Sequence, residues 1–230
     1  MCFSLEADLV VGAALLPVAA VSLREVRCAR ELPFASLPLL FALHHLVEAL
    51  VWAGAEGTVS SGVQHAAALA YLIFAFPVLP ILLPLAVLLL EPHGARGRIA
   101  VFVVLGAVVS GHFAWELASG PIEVTARPHG LTYVASIGQP VVWTSLYILA
   151  VIGPSLLSGY RSIVLFGAVN LVGLSLVAIV YAQAFASLWC VWAAVSSLLV
   201  AAHMVRRRRL PDSHRLHADP HAVAAWVRGS

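Results

Sequence analysis

Residues 66–90 read AAALAYLIFAFPVLPILLPLAVLLL, 25 consecutive residues with no charge, no amide and no hydroxyl apart from that of Tyr71. At 1.5 Å per residue such a stretch spans about 37 Å as a helix, more than the hydrocarbon layer of a bilayer. A helix is also the simplest segment that satisfies its own backbone in lipid. Pro77, Pro80 and Pro84 fall within this run at steps of three and four. They predict a kinked helix whose freed carbonyls must be met by neighbouring helices or a cavity. Working outward, six more apolar stretches are read as helices, at 7–23, 33–53, 99–119, 131–153, 162–181 and 184–205. The chain is 61% hydrophobic with a mean hydropathy of +0.96. The expected fold is therefore all-α, a polytopic membrane protein with seven transmembrane helices over 1–205 and a basic cytoplasmic tail over 206–230. A chain of 230 residues leaves no room for a separate catalytic domain. Met1 to Leu5 carries no basic residue, so the first stretch is read as a retained anchor rather than a cleaved signal.

Arginine sets the expected orientation. Arg24, Arg27, Arg30, Arg96, Arg98, Arg161, Arg206 to Arg209, Arg215 and Arg228 follow the first, third, fifth and seventh stretches, and only Arg127 lies on the other side. This bias predicts an N-terminus outside, a cytoplasmic C-terminus and a multi-pass protein of the plasma membrane. The remaining composition excludes several chemistries. No lysine is present, which removes a retinal Schiff base and a phosphate-binding lysine loop. Aspartate occurs only at Asp8, Asp212 and Asp219, so no Asp-rich cluster can hold Mg²⁺ on a diphosphate. Cys2, Cys28 and Cys190 have no CxxC spacing for a structural zinc site. A formal charge of +2 argues for membrane lipids rather than nucleic acid as surroundings. His214, His217 and His221 read as part of a solvated tail.

An ionisable group inside a spanning helix costs about 2.5 kcal/mol or more, so it marks function by default. Glu48 and Glu116 are the two that the sequence places inside spans. Around Glu48, HHLVEALVW brings His44, His45 and Trp52 onto one broad helical face, and GHFAWE stacks His112 below Glu116. His65 is expected at similar depth. The fifth stretch offers Gln139, Trp143 and Tyr147 at i, i+4 and i+8, and the seventh offers Trp189, Cys190 and Trp192. With Trp115 these residues predict a chamber of carboxyls, imidazoles and indoles in the outer half of the bilayer. An interfacial aromatic belt is the alternative for Trp52, Trp115, Trp189 and Trp192. His44 and His45 are adjacent and cannot point the same way.

MCFS at the start (Met1 to Ser4), EALVW (Glu48 to Trp52) and SLWCVWAAVSS (Ser187 to Ser197) resemble a family of small bacterial multispanning membrane proteins of unknown function. In size, helix number and membrane acidity the chain is also similar to the integral-membrane terpene cyclases. That second resemblance implies a protonation-initiated cyclisation of a farnesyl-type aromatic or indole-containing intermediate, a lipophilic prenylated small molecule, without a cofactor. It puts Glu48 in the role of general acid and Glu116, His44, His45 or His112 in that of proton relay or acceptor. Trp52, Trp115, Gln139, Trp143, Tyr147, Trp189 and Trp192 would then bind substrate. An acid in an apolar chamber keeps its proton because its charged form is poorly solvated, and aromatic faces stabilise a carbocation. Two alternatives stay open. His45, Glu48, His65, His112 and Glu116 form an N/O ligand set for zinc or iron in a membrane metalloenzyme. Glu48 alone would serve a proton-coupled transporter.

Overall fold

The computed structural model describes residues 4–91, 96–120, 123–127, 130–134, 138–180 and 185–209. The chain is mostly helical, and among the described residues four segments are long and apolar enough to cross a membrane: Leu5–Arg24, Ala29–Ala55, Ser61–Leu90 and Gly97–Ser119. Each begins or bends where its sequence dictates. Helix α1 (Leu5–Arg24) starts at Ser4, whose hydroxyl accepts the Ala7 N–H at 3.3 Å. The second segment opens with a 3₁₀ turn (Ala29–Glu31) and a short α2 (Leu32–Ala35) before α3 (Leu37–Ala55). Helix α4 (Ser61–Ile73) is capped by Ser60 and begins before the purely apolar run does.

The proline-rich stretch is one bent rod. Between α4 and α5 (Leu79–Leu90) lies a π-turn, Phe74–Val78, in which the Leu79 N–H reaches back to the Phe74 carbonyl. In that register the Ala75 carbonyl would pair with residue 80, a proline without an N–H. The Tyr147 hydroxyl donates to it instead at 2.7 Å. Pro84 likewise leaves the Pro80 carbonyl without a helical donor. Helix α6 (Gly97–Ser119) lays Gly106 against that carbonyl so closely that a Cβ would stand 1.8 Å from the oxygen.

The stretch read as a helix over 131–153 is not continuous. Glu123–Arg127 (β1) and Gly130–Val134 (β2) form an antiparallel hairpin with Thr125 opposite Thr132. Helix α7 starts only at Pro140 and runs to Leu156. The physical reason is local: Gly130, Gly138 and Pro140 break helical propagation, while Val124, Thr125, Thr132, Tyr133 and Val134 favour a strand. The fold is thus mostly helical, with a two-stranded hairpin among the described residues where the fifth stretch was expected to begin as a helix.

Helices α8 (Arg161–Val180) and α9 (Phe185–Arg209) complete the described chain, and α9 carries the first four arginines of the basic run. Packing follows the chain order. Helix α1 lies on α3, α3 on α4, α5 on α6 and α7, α7 on α8 and α8 on α9, which returns to α1 and α3. The arginine-rich end is tied by ion pairs and caps. Glu91 accepts from the Ser158 hydroxyl at 2.5 Å and the Gly159 N–H at 2.7 Å, and lies 3.7 Å from Arg98. Arg207 reaches Glu31 at 3.5 Å across the Tyr160 ring. His203, next to the arginines, is buried and bonded to Ser162 at 2.6 Å.

Candidate functional site

The buried residues of α1 are Asp8, Gly12, Leu15, Ala19 and Ser22, a seam at alternating steps of four and three. Small residues in such a seam let two helices approach closely in lipid. At Gly12 a Cβ would meet Leu46 at 2.9 Å and the Ala42 carbonyl at 3.2 Å, so α1 and α3 are nearly in backbone contact there. One turn toward the α1 N-terminus, the seam ends in Asp8. Opposite it α3 presents His45 and Glu48, three residues apart on one side of the helix. Asp8, His45 and Glu48 are 0%, 1% and 0% exposed. Asp8 Oδ1 lies 2.9 Å from His45 Nδ1. One ligand-type atom from each of the three residues falls within 4.8 Å of the others. The second oxygen of Asp8, Oδ2, is buried and has no hydrogen-bond partner among the described residues. The trio therefore retains at least one acceptor position for a proton or a cation.

His44 lies about 100° around α3 from His45 and belongs to a different environment. Its ring stacks on Tyr71 at 4.0 Å and tilts against Phe74 at 4.8 Å. Tyr71 in turn stacks on Tyr133 of the hairpin at 4.7 Å. His45 is thus the histidine of the carboxyl group and His44 a packed ring. From Tyr71 the aromatic band continues. Phe76 packs on the Tyr71 and Leu72 pair and stacks on Phe113 at 5.1 Å. Phe113 meets Tyr147 at 6.0 Å and His112 at 5.5 Å. His112 ends the band, stacked on Trp143 at 3.6 Å with its planes 9° apart. Its Nε2 lies 3.7 Å from Glu116 Oε1, which also accepts the Gly138 N–H at 3.4 Å.

The expected residues therefore separate into two groups joined by rings. His45 and Glu48 sit with Asp8, while His112 and Glu116 sit with Trp143. His65 is exposed on α4, so the five-residue ligand set is not gathered at one point. Trp52 is buried, and its indole N–H has no partner among the described residues. Trp115 is 71% exposed. It precedes Glu116 by one residue and is carried to the outer side of α6, where it suits an interfacial belt and not a chamber. Gln139 is exposed and caps α7 in a left-handed conformation (φ 49°), because the helix begins one residue later. It does not continue the stripe of Trp143 and Tyr147. Tyr147 spends its hydroxyl on the π-turn, and Trp192 donates its indole N–H to the Val169 carbonyl at 2.9 Å. Cys2 and the side chains of Trp189 and Cys190 lie outside the described residues. Cys28 is exposed near the arginine-rich end.

Sequence reasoning passed over Asp8, Tyr71 and Tyr133. Asp8 stands at the edge of its apolar stretch, where a carboxyl is easily read as interfacial. The signal that finds it is the seam, since Asp8 extends the small-residue spacing of Gly12, Ala19 and Ser22 by one step.

No curated protein and no solved structure matches this sequence. Residues 1–216 match a family described as a family of unknown function (DUF6629), and the chain belongs to that family.

Proposed function

We propose that the protein is a seven-span membrane enzyme, N-terminus outside, that isomerises a lipid-soluble prenylated aromatic or indole compound by protonation and ring closure. The observation that carries this reading is the buried Asp8, His45 and Glu48 trio at the head of an aromatic band that ends at a second imidazole and carboxyl. Burying net charge in an apolar interior is costly, so a proton-loaded trio tends toward overall neutrality. On this reading Glu48 carries the proton that starts the reaction. Glu48 then delivers this proton to an alkene or epoxide of the substrate. The rings of Tyr71, Phe76, Phe113 and Tyr147 stabilise the carbocation as a new carbon–carbon bond forms. His112 or Glu116 removes a proton from the carbon next to the cation. One proton enters and one leaves, so product and substrate have equal mass.

A second reading is favoured by the same cluster. Asp8, His45 and Glu48 offer two carboxylates and an imidazole, which together neutralise a divalent ion such as zinc or iron. Such an ion would supply Lewis acidity. The 2.9 Å contact of Asp8 with His45 counts against it, because each atom already faces the other and not a shared centre.

One comparison separates the two. Wild-type protein and Glu48→Gln, purified in detergent and verified as folded, are analysed for metal and then supplied with farnesylated indoles or related prenyl arenes. The acid reading expects metal-independent conversion to isomers of altered ring count, lowered about 100-fold or more by the substitution. Wild-type turnover in Glu48→Gln overturns it. A stoichiometric metal that falls in the variant establishes the second reading instead.

A further inference from the structure

We propose that the paired ends of α8 and α9 hold the phosphate of an anionic phospholipid between Arg161 and Arg206. Neither the Asp8, His45 and Glu48 trio nor the reaction assigned to it takes part.

Two side-chain contacts pin the first turn of α8 to the arginine-bearing end of α9. Ser162 and His203 are bonded at 2.6 Å. The Arg207 guanidinium lies over the Tyr160 ring, 5.6 Å from its centroid. Arg161 stands between Tyr160 and Ser162 in the chain, and Arg206 directly precedes Arg207, so these pins bring the two arginines to neighbouring helix ends. Both are exposed. Neither side chain has a hydrogen bond or an ion pair among the described residues.

The acids of this end are engaged inside the protein. Glu91 is 1% exposed and faces Ser158, Gly159 and Arg98. Glu31 is 8% exposed, accepts the Arg27 N–H at 2.8 Å and pairs with Arg207. Glu25 also has a partner. A third exposed arginine, Arg27, borders the same cluster. The surface left over is therefore positive, and a guanidinium suits a phosphate both in charge and in its fork of N–H donors.

What lies beneath the two cations selects a lipid over a soluble phosphate. On α8, Leu165 and Val172 continue the face of Arg161 and are 51% and 55% exposed. On α9, Ala202 and Leu198 continue the face of Arg206 toward the bundle centre, and both are exposed. Each arginine thus heads an apolar stripe, an arrangement in which a headgroup sits on the cations while its acyl chains lie along the helices.

Native mass spectrometry of the full chain in detergent tests the site by counting bound lipid. Dioleoyl phosphatidylglycerol and dioleoyl phosphatidylcholine carry the same chains and differ in net charge. Wild-type protein should bind the first about tenfold or more tighter. Arg161→Gln combined with Arg206→Gln should bring the two lipids to equal affinity, whereas Arg127→Gln, which removes one charge at the hairpin, should keep the preference. Each variant is first verified as folded by its melting temperature. Equal affinity of the wild type for the two lipids overturns the proposal. So does a preference that survives the double substitution, or one that Arg127→Gln abolishes to the same extent. Glycerol phosphate that displaces phosphatidylglycerol mole for mole would assign the site to a soluble phosphate and equally overturn it.

Discussion

At the scale of single residues, the Asp8 and His45 pair carries the sharpest expectation. Removing one partner of a buried charged or hydrogen-bonded pair costs about 3–5 kcal/mol. Asp8→Leu and His45→Leu should each destabilise the folded protein by that order. The double variant should lose less than the sum, with a coupling of about 1–3 kcal/mol. Unfolding in mixed detergent micelles measures all three, and strict additivity would show that the 2.9 Å contact carries no energy. Glu48 and His45 were legible from the sequence because a carboxyl and an imidazole three residues apart in an apolar helix have few structural reasons to exist. Choosing His45 over His44 was not legible. Both lie on the broad buried face of α3, and only the position of α1 on one flank and Tyr71 on the other separates them. Trp115 was misplaced for the converse reason, since proximity to Glu116 in sequence turns it to another side of the helix.

At the scale of elements, prolines and glycines do the shaping. The three prolines were readable as a kink. Which carbonyls they free, and that the Tyr147 hydroxyl meets one while Gly106 packs against another, depends on neighbouring helices and could not be read from one segment. Gly106→Ala should cost about 1–3 kcal/mol, because a Cβ 1.8 Å from the Pro80 oxygen forces α5 and α6 apart. Gly111→Ala in the same helix meets nothing within 4 Å and should be neutral or gain up to about 1 kcal/mol. Thermal unfolding of the two variants in one detergent checks the contrast. The hairpin escaped the sequence reading because its apolar residues were counted toward a helix. Gly130, Gly138 and Pro140 were the available signal against doing so.

For the whole molecule, the apolar stretches were read within a few residues of their observed ends except across the hairpin. Among the described residues four segments meet the length and composition for crossing a membrane, and α7 is a shorter apolar helix. The proposed topology, seven crossings with the arginine-rich end in the cytoplasm, predicts a definite labelling pattern in intact cells. A cysteine at Gly57, between α3 and α4, should react with an impermeant reagent, whereas native Cys28 should react only after the membrane is opened. The reverse pattern would invert the proposed orientation and move the trio to the inner half of the bilayer. The packing of α9 on α1 and α3 has a further bearing on how the protein is made. During synthesis α1 gains one neighbour early, when α3 brings His45 to Asp8, and a second only once α9 has been made. During that interval the flank of α1 reserved for α9 must be shielded by lipid or by the insertion machinery. A nascent chain halted before α9 would therefore bring its acid and imidazole together, yet remain open along one side until α9 arrives.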